Sequence, residues 1–422
     1  MTKYIFTFFA CLMLAIGQSC SKDDTPVQPE TPSNPSNPNK PDTPDTPDKP
    51  DTPDTPDNPD NPDDPDNGED DQPVLVDFAK GADVSWVTQM EDAGYKFKYI
   101  NGENGDLFEI LKYDCGVNST RFRVWVDPTK YFDSGAEKWN VGNNYNSIED
   151  VVGKAQRAAA LEMDIMIDFH FSDSWADPGK QNIPSSWMPE DGSTPTIEHL
   201  QAKMTEHIND MLGALKAVGI TPNWVQIGNE VTYGMLSPVG QNWGNGGNDE
   251  PAFKNFVALV NAGFEAVKAF SEDIITIVHI DNAWNWDTAN WFFGYMQKLN
   301  AKYDMIGLSL YPSAVYLNGS SKPQPVSEYM TYVNQALTNV TRLNQQYDKP
   351  VMFVEVGMPW DYPDYGANML TAILEAARTN DMLKGVFWWE PESNPNNSGG
   401  YTMGATNADG SPNGALAPFL KF

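Results

Sequence analysis

From about residue 74 onward the chain repeats one pattern: a short apolar run, a polar break, then a longer stretch whose apolar residues recur at helical spacing. The short runs are rich in Val, Ile and aromatic residues and have the length of strands. They are AKGADVS (79–85), STRFRVWV (119–126), DIMIDFHF (164–171), NWVQIGN (223–229), IITIVHI (274–280), MIGLSLY (305–311), VMFVEV (351–356) and GVFWW (385–389). Helical patterns cover 147–161, 197–218, 253–270, 326–347 and 367–379. Eight strands alternating with helices, about 40 residues apart, predict a single (β/α)8 TIM barrel. The connections after the third and sixth strands are long, as expected where this fold builds its sites. An open doubly wound sheet is the alternative, but no Gly-rich dinucleotide loop follows the first strand.

The first 73 residues break the pattern. Lys3 precedes an apolar run, Tyr4 to Ile16, that is too short to span a bilayer, so residues 1–19 are expected to be a signal peptide. Cys20 follows small residues and resembles the lipidated cysteine of a bacterial lipobox; an ordinary cleavage site with an incidental cysteine is the alternative. Ser21–Lys22–Asp23–Asp24 resembles the acidic export signal of Bacteroidetes surface lipoproteins. An outer-membrane lipoprotein exposed on the cell surface is therefore expected, held by a lipid chain on Cys20. Residues 25 to about 72 are Pro, Asp, Thr and Asn with almost nothing apolar, which favours a disordered, extended and self-repelling stalk. The division expected is 1–19 signal peptide, 20–73 lipidated Cys and disordered linker, and 74–422 (β/α)8 domain.

Charge and cysteine narrow the partners. A net charge of −31 argues against nucleic acid and anionic membrane surfaces. Of three cysteines, Cys11 would leave with the signal peptide and Cys20 would be acylated, so Cys115 has no partner for a disulfide. Stability must come from a large core, and a monomer is expected.

Two strands end in a carboxylate: WVQIGNE delivers Glu230 and VMFVEVG delivers Glu355. Glu is depleted in strands and is rarely buried unpaired. In this strand count both lie at the C-terminal mouth of the barrel, where the fold places catalytic groups. Two carboxylates facing one cleft are the machinery of glycoside hydrolysis, one protonated to serve the leaving oxygen and one ionised to attack. The structural alternative is that each pairs with an Arg as a buried ion pair. Asn229, next to Glu230, could bond a sugar hydroxyl beside the reacting carbon. Trp125, Trp175, Tyr311, Trp388 and Trp389 gather at strand ends, where aromatic faces could stack on sugar rings. Thirteen Trp is a high count for such a chain.

RFRVWVDP (121–128), DFHFSDSWADPGKQ (168–181), QIGNE (226–230) and WWEP (388–391) resemble glycoside hydrolase family 53, the arabinogalactan endo-β-1,4-galactanases. KGADVSWV and GYKFKYINGENG, within 80–105, resemble that family's opening strand and loop. The resemblance runs from about Gly81 to Pro391. It implies a clan A barrel and retaining endo-hydrolysis of β-1,4-galactan, the side chains of pectin, to galacto-oligosaccharides. By position it implies Glu230 as acid/base and Glu355 as nucleophile. Arg121 would orient the nucleophile, although Arg123 shares its face. His170 resembles the active-site His of the third strand. Asp173, Trp175, Asp177 and Lys180 would shape subsites. Tyr311 would bond the nucleophile, Trp389 would floor the subsite of the reacting sugar, and Asp83 could be structural.

Two stretches depart from that family. Members from bacilli carry a calcium loop after the nucleophile strand, whereas MPWDYPDYGAN (358–368) offers only Asp361 and Asp364, too few oxygens for the ion. No metal or cofactor is expected. ESNPNNSGGYTMG, after Pro391, is unlike the usual ending. The rival readings are another clan A endo-β-glycanase, such as a mannanase or cellulase, and a non-catalytic surface glycan-binding lipoprotein. The long third-strand motif favours galactanase, and the retained pair of Glu favours an enzyme.

Overall fold

The computed structural model describes residues 75, 77–129, 144–244, 249–314, 326–394 and 401–422. The signal peptide, Cys20 and stalk expected over 1–73 lie outside them. Eight parallel strands form a closed barrel in chain order: β1 (Ala79–Asp83), β2 (Ser119–Val124), β3 (Asp164–Phe169), β4 (Trp224–Ile227), β5 (Ile275–Ile280), β6 (Met305–Leu310), β7 (Val351–Val356) and β8 (Leu383–Trp389). The seam is β1 on β8, with Ala79 opposite Gly385 and Asp83 opposite Trp389. Closure leaves no strand edge open.

The helices between the strands are α1 (Val87–Asp92), α2 (Leu107–Tyr113), α3 (Ile148–Ala160), α4 (Ile197–Ala217), α5 (Glu250–Phe270), α6 (Trp286–Lys298), α7 (Tyr329–Tyr347) and α8 (Pro363–Thr379). Side-chain caps start several of them, because the first amides of a helix lack internal partners. Ser147 accepts from Asp150 N, Thr196 from His199 N and Asn285 from Thr288 N. α4 buries Leu200, Met204, Ile208, Met211 and Leu215, one apolar stripe at helical spacing laid against the barrel. Burial of such stripes forms the outer core, while Ala79, Met166, Trp224, Ile277, Met305, Met352, Val354 and Phe387 form a separate cluster. At Gly81 a Cβ would overlap the Phe387 ring, so only glycine fits there. No described helix is long and apolar enough to cross a membrane.

Most differences from the sequence reading sit at strand ends. The runs 119–126, 164–171, 223–229 and 305–311 each stop pairing one or two residues early. The residues left over, among them Trp125, His170, Asn229 and Tyr311, turn out of the ladder at the mouth. α6 escaped the periodicity because its sequence, WDTANWFFGYMQK, has aromatic residues on several faces. α8 starts at Pro363, inside the stretch expected to be loop, since proline suits a first helical turn.

Candidate active site

Arg121 is the centre from which the site is built. It rises from β2, fully buried, and its guanidinium reaches four other strands or strand ends. Nη1 meets Asp83 Oδ2 at 2.7 Å; Nη2 meets Asp168 Oδ2 at 2.9 Å and Glu355 Oε1 at 3.0 Å. Nη2 also donates to Asn229 Oδ1 (2.8 Å), and Nε donates to Gln226 Oε1 (3.3 Å). Burial alone would lower the guanidinium, but Asp168, Glu355 and Asp83 outweigh it and hold the charge in place. Burial would likewise raise Asp168, yet Arg121 and His170 keep it below the usual carboxylate range. This planar, always-charged fork suits several carboxylates at once, which an ammonium could not match.

Glu230 follows β4 through a sharp turn. Gly228 has φ +84°, and a Cβ there would press on Val231 at 2.5 Å. Glu230 itself is left-handed at φ 45°, ψ 52°. Its amide donates to His279 Nδ1 at 3.2 Å, and Gln226 Nε2 lies 3.1 Å from the same nitrogen. Asn229 Oδ1 also lies 3.1 Å from Nδ1, but the fixed Glu230 N–H requires an acceptor there, which leaves the ring proton on Nε2, donating to Ser309 Oγ (2.7 Å). Ser309 then donates to Glu230 Oε1 (2.7 Å). Burial first, and Arg121 second, hold His279 well below its ordinary value, so this relay is neutral. Burial, with Glu355 and Asp281 nearby, pushes the Glu230 carboxyl well above its usual range. Among the described residues no cation pairs with it.

Glu355 stands at the tip of β7 with Arg121 on Oε1 and the Tyr311 hydroxyl donating to Oε2 at 3.1 Å. Burial raises it to about 7, and Arg121 opposes that rise. The cation therefore separates the pair: Glu230 keeps its proton, and Glu355 is the one that ionises. Ser309 supplies a test. Its hydroxyl stabilises the ionised form of Glu230, so Ser309→Ala should raise that carboxyl further. The alkaline limb of the kcat/KM profile should then move to higher pH; a limb that stays or moves down would remove Glu230 from the role of acid.

Opposite the carboxylates, Trp86, Trp125, Trp175 and Trp389 come from the ends of β1, β2, β3 and β8. Trp175 meets Trp125 edge-on at 4.9 Å, and Trp389 meets Trp86 at 5.1 Å and Tyr401 at 4.7 Å. Trp175 and Trp389 remain partly exposed, as a stacking surface requires. Asp177 is half-buried, accepting from Gly179 N at 2.7 Å, and lies within electrostatic reach of Glu230. Gln181 ties this loop to the tip of β4 by donating to Asn229 O (2.8 Å), while Asn229 Nδ2 returns a bond to Ala176 O (2.8 Å).

Several expectations change. Trp388 does not line the cleft: it is wholly buried, its indole N–H donates to Met403 O at 2.9 Å, and it packs beside Gly366. Adjacent strand residues face opposite sides, so only one of Trp388 and Trp389 can face the mouth. Asp173 is also fully buried, with Ser185 N (2.8 Å), Ser185 Oγ (2.9 Å) and Asp127 N (3.1 Å) on its two oxygens; it fastens loops beneath the surface. His170 does not touch either Glu. It donates Nε2–H to Asp168 (3.0 Å) and accepts from Ala176 N (2.8 Å), so it braces the Arg121 cluster from behind. Arg123 does not substitute for Arg121, because it pairs with Glu390. Asp83 serves as an Arg121 partner.

Asp168, Gln226, His279 and Ser309 were not anticipated as site residues. Their signal was a polar side chain in the middle of an apolar strand, which demands a partner in the folded state. Among the described residues no three His, Cys, Asp or Glu side chains gather as a metal site would need.

The model of glycosyl hydrolase family 53 matches residues 79–418. An arabinogalactan endo-beta-1,4-galactanase of Humicola insolens is 31% identical over 337 residues, covering 74% of this chain and 89% of its own. An endo-beta-1,4-galactanase of Bacillus subtilis is 30% identical, covering 75% of this chain and 70% of its own. A solved structure of fungal beta-1,4-galactanases superposes with a TM-score of 0.66 at 26% identity, over 82% of this chain and 99% of that one.

Proposed function

This chain belongs to glycosyl hydrolase family 53, and from that we propose that it cuts β-1,4-linked galactan within the chain, with retention at the anomeric carbon. The observation that carries the reading is the asymmetric pair: Glu355 gripped by Arg121 and Tyr311, and the Glu230 carboxyl bonded, among the described residues, by the neutral Ser309 alone. In the first displacement Glu355 Oε attacks the anomeric carbon as the glycosidic C–O bond breaks. Glu230 gives its proton to the departing oxygen. In the second, Glu230, now a carboxylate, takes a proton from water; the water oxygen bonds to the anomeric carbon and Glu355 leaves. Asn229 carries a second amide hydrogen beyond the one given to Ala176, and its place beside Glu230 suits the neighbouring sugar hydroxyl. Trp175 and Trp389 serve as stacking faces, with Asp177 and Lys180 at the rim.

The axial 4-hydroxyl of galactose bends this polymer, so stacking surfaces set at angles suit it better than one flat trough. Polar groups built for a given hydroxyl are left unpaired by a sugar that lacks it there, which rejects that sugar strongly. Galactan should therefore yield short galacto-oligosaccharides, while mannan, xylan and cellulose yield none at a useful rate. Products resolved by size after digestion of each polymer test this; equal rates on mannan and galactan would sink it.

For location, we propose lipidation at Cys20 and display at the cell surface by the Pro/Asp-rich stalk, as a monomer. The support is the sequence of residues 1–73 alone. Cys20→Ser should move the protein from the membrane fraction to the soluble one, and a variant that stays with the membrane would end the lipid-anchor reading.

A further inference from the structure

The strand ends divide the mouth in two. Those of β4 to β7 carry Glu230, His279, Ser309, Tyr311 and Glu355, the proton chemistry. Those of β8, β1, β2 and β3 carry Trp389, Trp86, Trp125 and Trp175. One side chain sits among these four indoles: Arg123, whose guanidinium carbon lies 5.5 Å from the Trp86 and Trp125 ring centres, 5.8 Å from Trp175 and 5.9 Å from Trp389. Arg123 is 1% exposed, and among the described residues its Nε and Nη2 have no hydrogen-bond acceptor. Nη1 alone is engaged, in a close ion pair with Glu390 Oε1. A buried guanidinium normally fills its donors. Here the π faces take that place, and such contacts strengthen when they are desolvated.

Glu390 is built to hold this cation still. It is fully buried, follows β8 in a left-handed conformation at φ 47°, and accepts from Trp86 N at 3.1 Å through its second oxygen. Its own amide donates to Asp83 O at 2.8 Å. Glu392 is also buried beside Glu390, and burial with that neighbour's charge pushes its carboxyl well above the usual range. Glu390 thus touches Trp86 through its oxygen and Trp389 through the chain, while Arg123 covers Trp125 and Trp175.

We infer that Arg123, anchored by Glu390, is a positioning residue for substrate: through Trp86 and the buried Trp125 it fixes the relative angles of Trp175 and Trp389, the indoles that receive the sugar rings. It acts apart from Arg121, which serves the reacting carboxylates. The inference rests on the proposed glycan hydrolysis and adds a specificity-determining centre to it. Because stacking acts alike on bound substrate and transition state, loss of the alignment raises KM and spares kcat.

The test uses the mature wild-type chain, Arg123→Lys and Glu390→Gln on soluble galactan, with melting temperature and indole fluorescence followed on each. Lysine keeps the charge for Glu390 but lacks the plane that meets four rings. Arg123→Lys should raise KM about tenfold while kcat changes less than about threefold, with a shifted emission spectrum. Glu390→Gln, which leaves the arginine in place without its anion, should move KM in the same direction. A lower melting temperature with KM and kcat both unchanged would reduce Arg123 to a structural residue and overturn the inference, as would a fall in kcat at unchanged KM. If lysine prevents folding, Glu390→Gln alone decides by the same split. Wild-type activity on galactan is read first: its absence refutes the substrate reading, and the split is then measured on whichever β-glycan is cut.

Discussion

Glu355→Gln is expected to lose on the order of 10⁴-fold or more in kcat on every substrate, because an amide can neither attack the anomeric carbon nor leave it. The amide still accepts from Tyr311 and still fills the space, so the melting temperature should not fall. At pH above the folded value of Glu355 it should rise, since the exchange removes a buried group whose ionisation the fold resists. The sign follows from the shift: Glu355 is raised to about 7, so the folded state binds its proton more tightly than the unfolded chain. That contribution is present below the unfolded carboxylate range and is lost as pH climbs through the folded value. Glu230→Ala should behave differently. An activated aryl leaving group needs no proton, so the first displacement should be little affected there. Azide, an anion that needs no base, should restore turnover by attacking the anomeric carbon in place of water as Glu355 leaves. Retention of more than about a hundredth of the rate by Glu355→Gln would transfer the nucleophile elsewhere. An early product of inverted configuration would exclude a covalent intermediate altogether.

Arg121→Met should damage both stability and catalysis. The change leaves Asp83, Asp168 and Glu355 buried together without their cation, whereas the present fork meets all three within 3.0 Å. Removing one partner of a buried ion pair typically costs about 3–5 kcal/mol. For a domain of this size that corresponds to a melting point lower by roughly 4–7 °C. Lowering the pH should recover part of the loss, because protonating the stranded carboxylates relieves their repulsion. Activity should fall by about 10³-fold or more even where the protein remains folded, since Glu355 would take up a proton at neutral pH. Calorimetry beside kcat/KM across pH checks both halves; a melting point within about 2 °C of wild type would mean that the cluster is not held by Arg121.

The barrel and the placing of two carboxylates at its mouth were legible in the sequence because both follow local rules. Apolar runs at strand length alternate with helical periods, and Glu230 and Glu355 stand where such runs end. The polar interior was harder to read. Gln226, His279 and Ser309 each sit singly in an apolar strand, and nothing nearby in sequence says which distant residue satisfies them. His279 meets Ser309 across 30 positions and Gln226 across 53. Arg121 and Arg123 were indistinguishable for a related reason: period-two alternation puts both on one face, and only the depth of each in the barrel decides its partner. Trp388 and Trp389 posed the opposite problem, with alternation allowing one indole at the mouth but leaving open which one. His170 matched a motif in identity and place, yet its task of bracing Asp168 depends on a neighbour two residues back.

Phe171, Glu230 and Glu390 follow the ends of β3, β4 and β8 in left-handed conformations at φ 47°, 45° and 47°, although none is glycine. Such backbone costs about 1–3 kcal/mol at each position and persists only where surrounding contacts enforce it. Because the bends are completed as the chain folds, the carboxylates wait in working positions and an arriving sugar need not rearrange the backbone to meet them. The expense falls once in the lifetime of each molecule, and turnover after turnover proceeds from the same geometry.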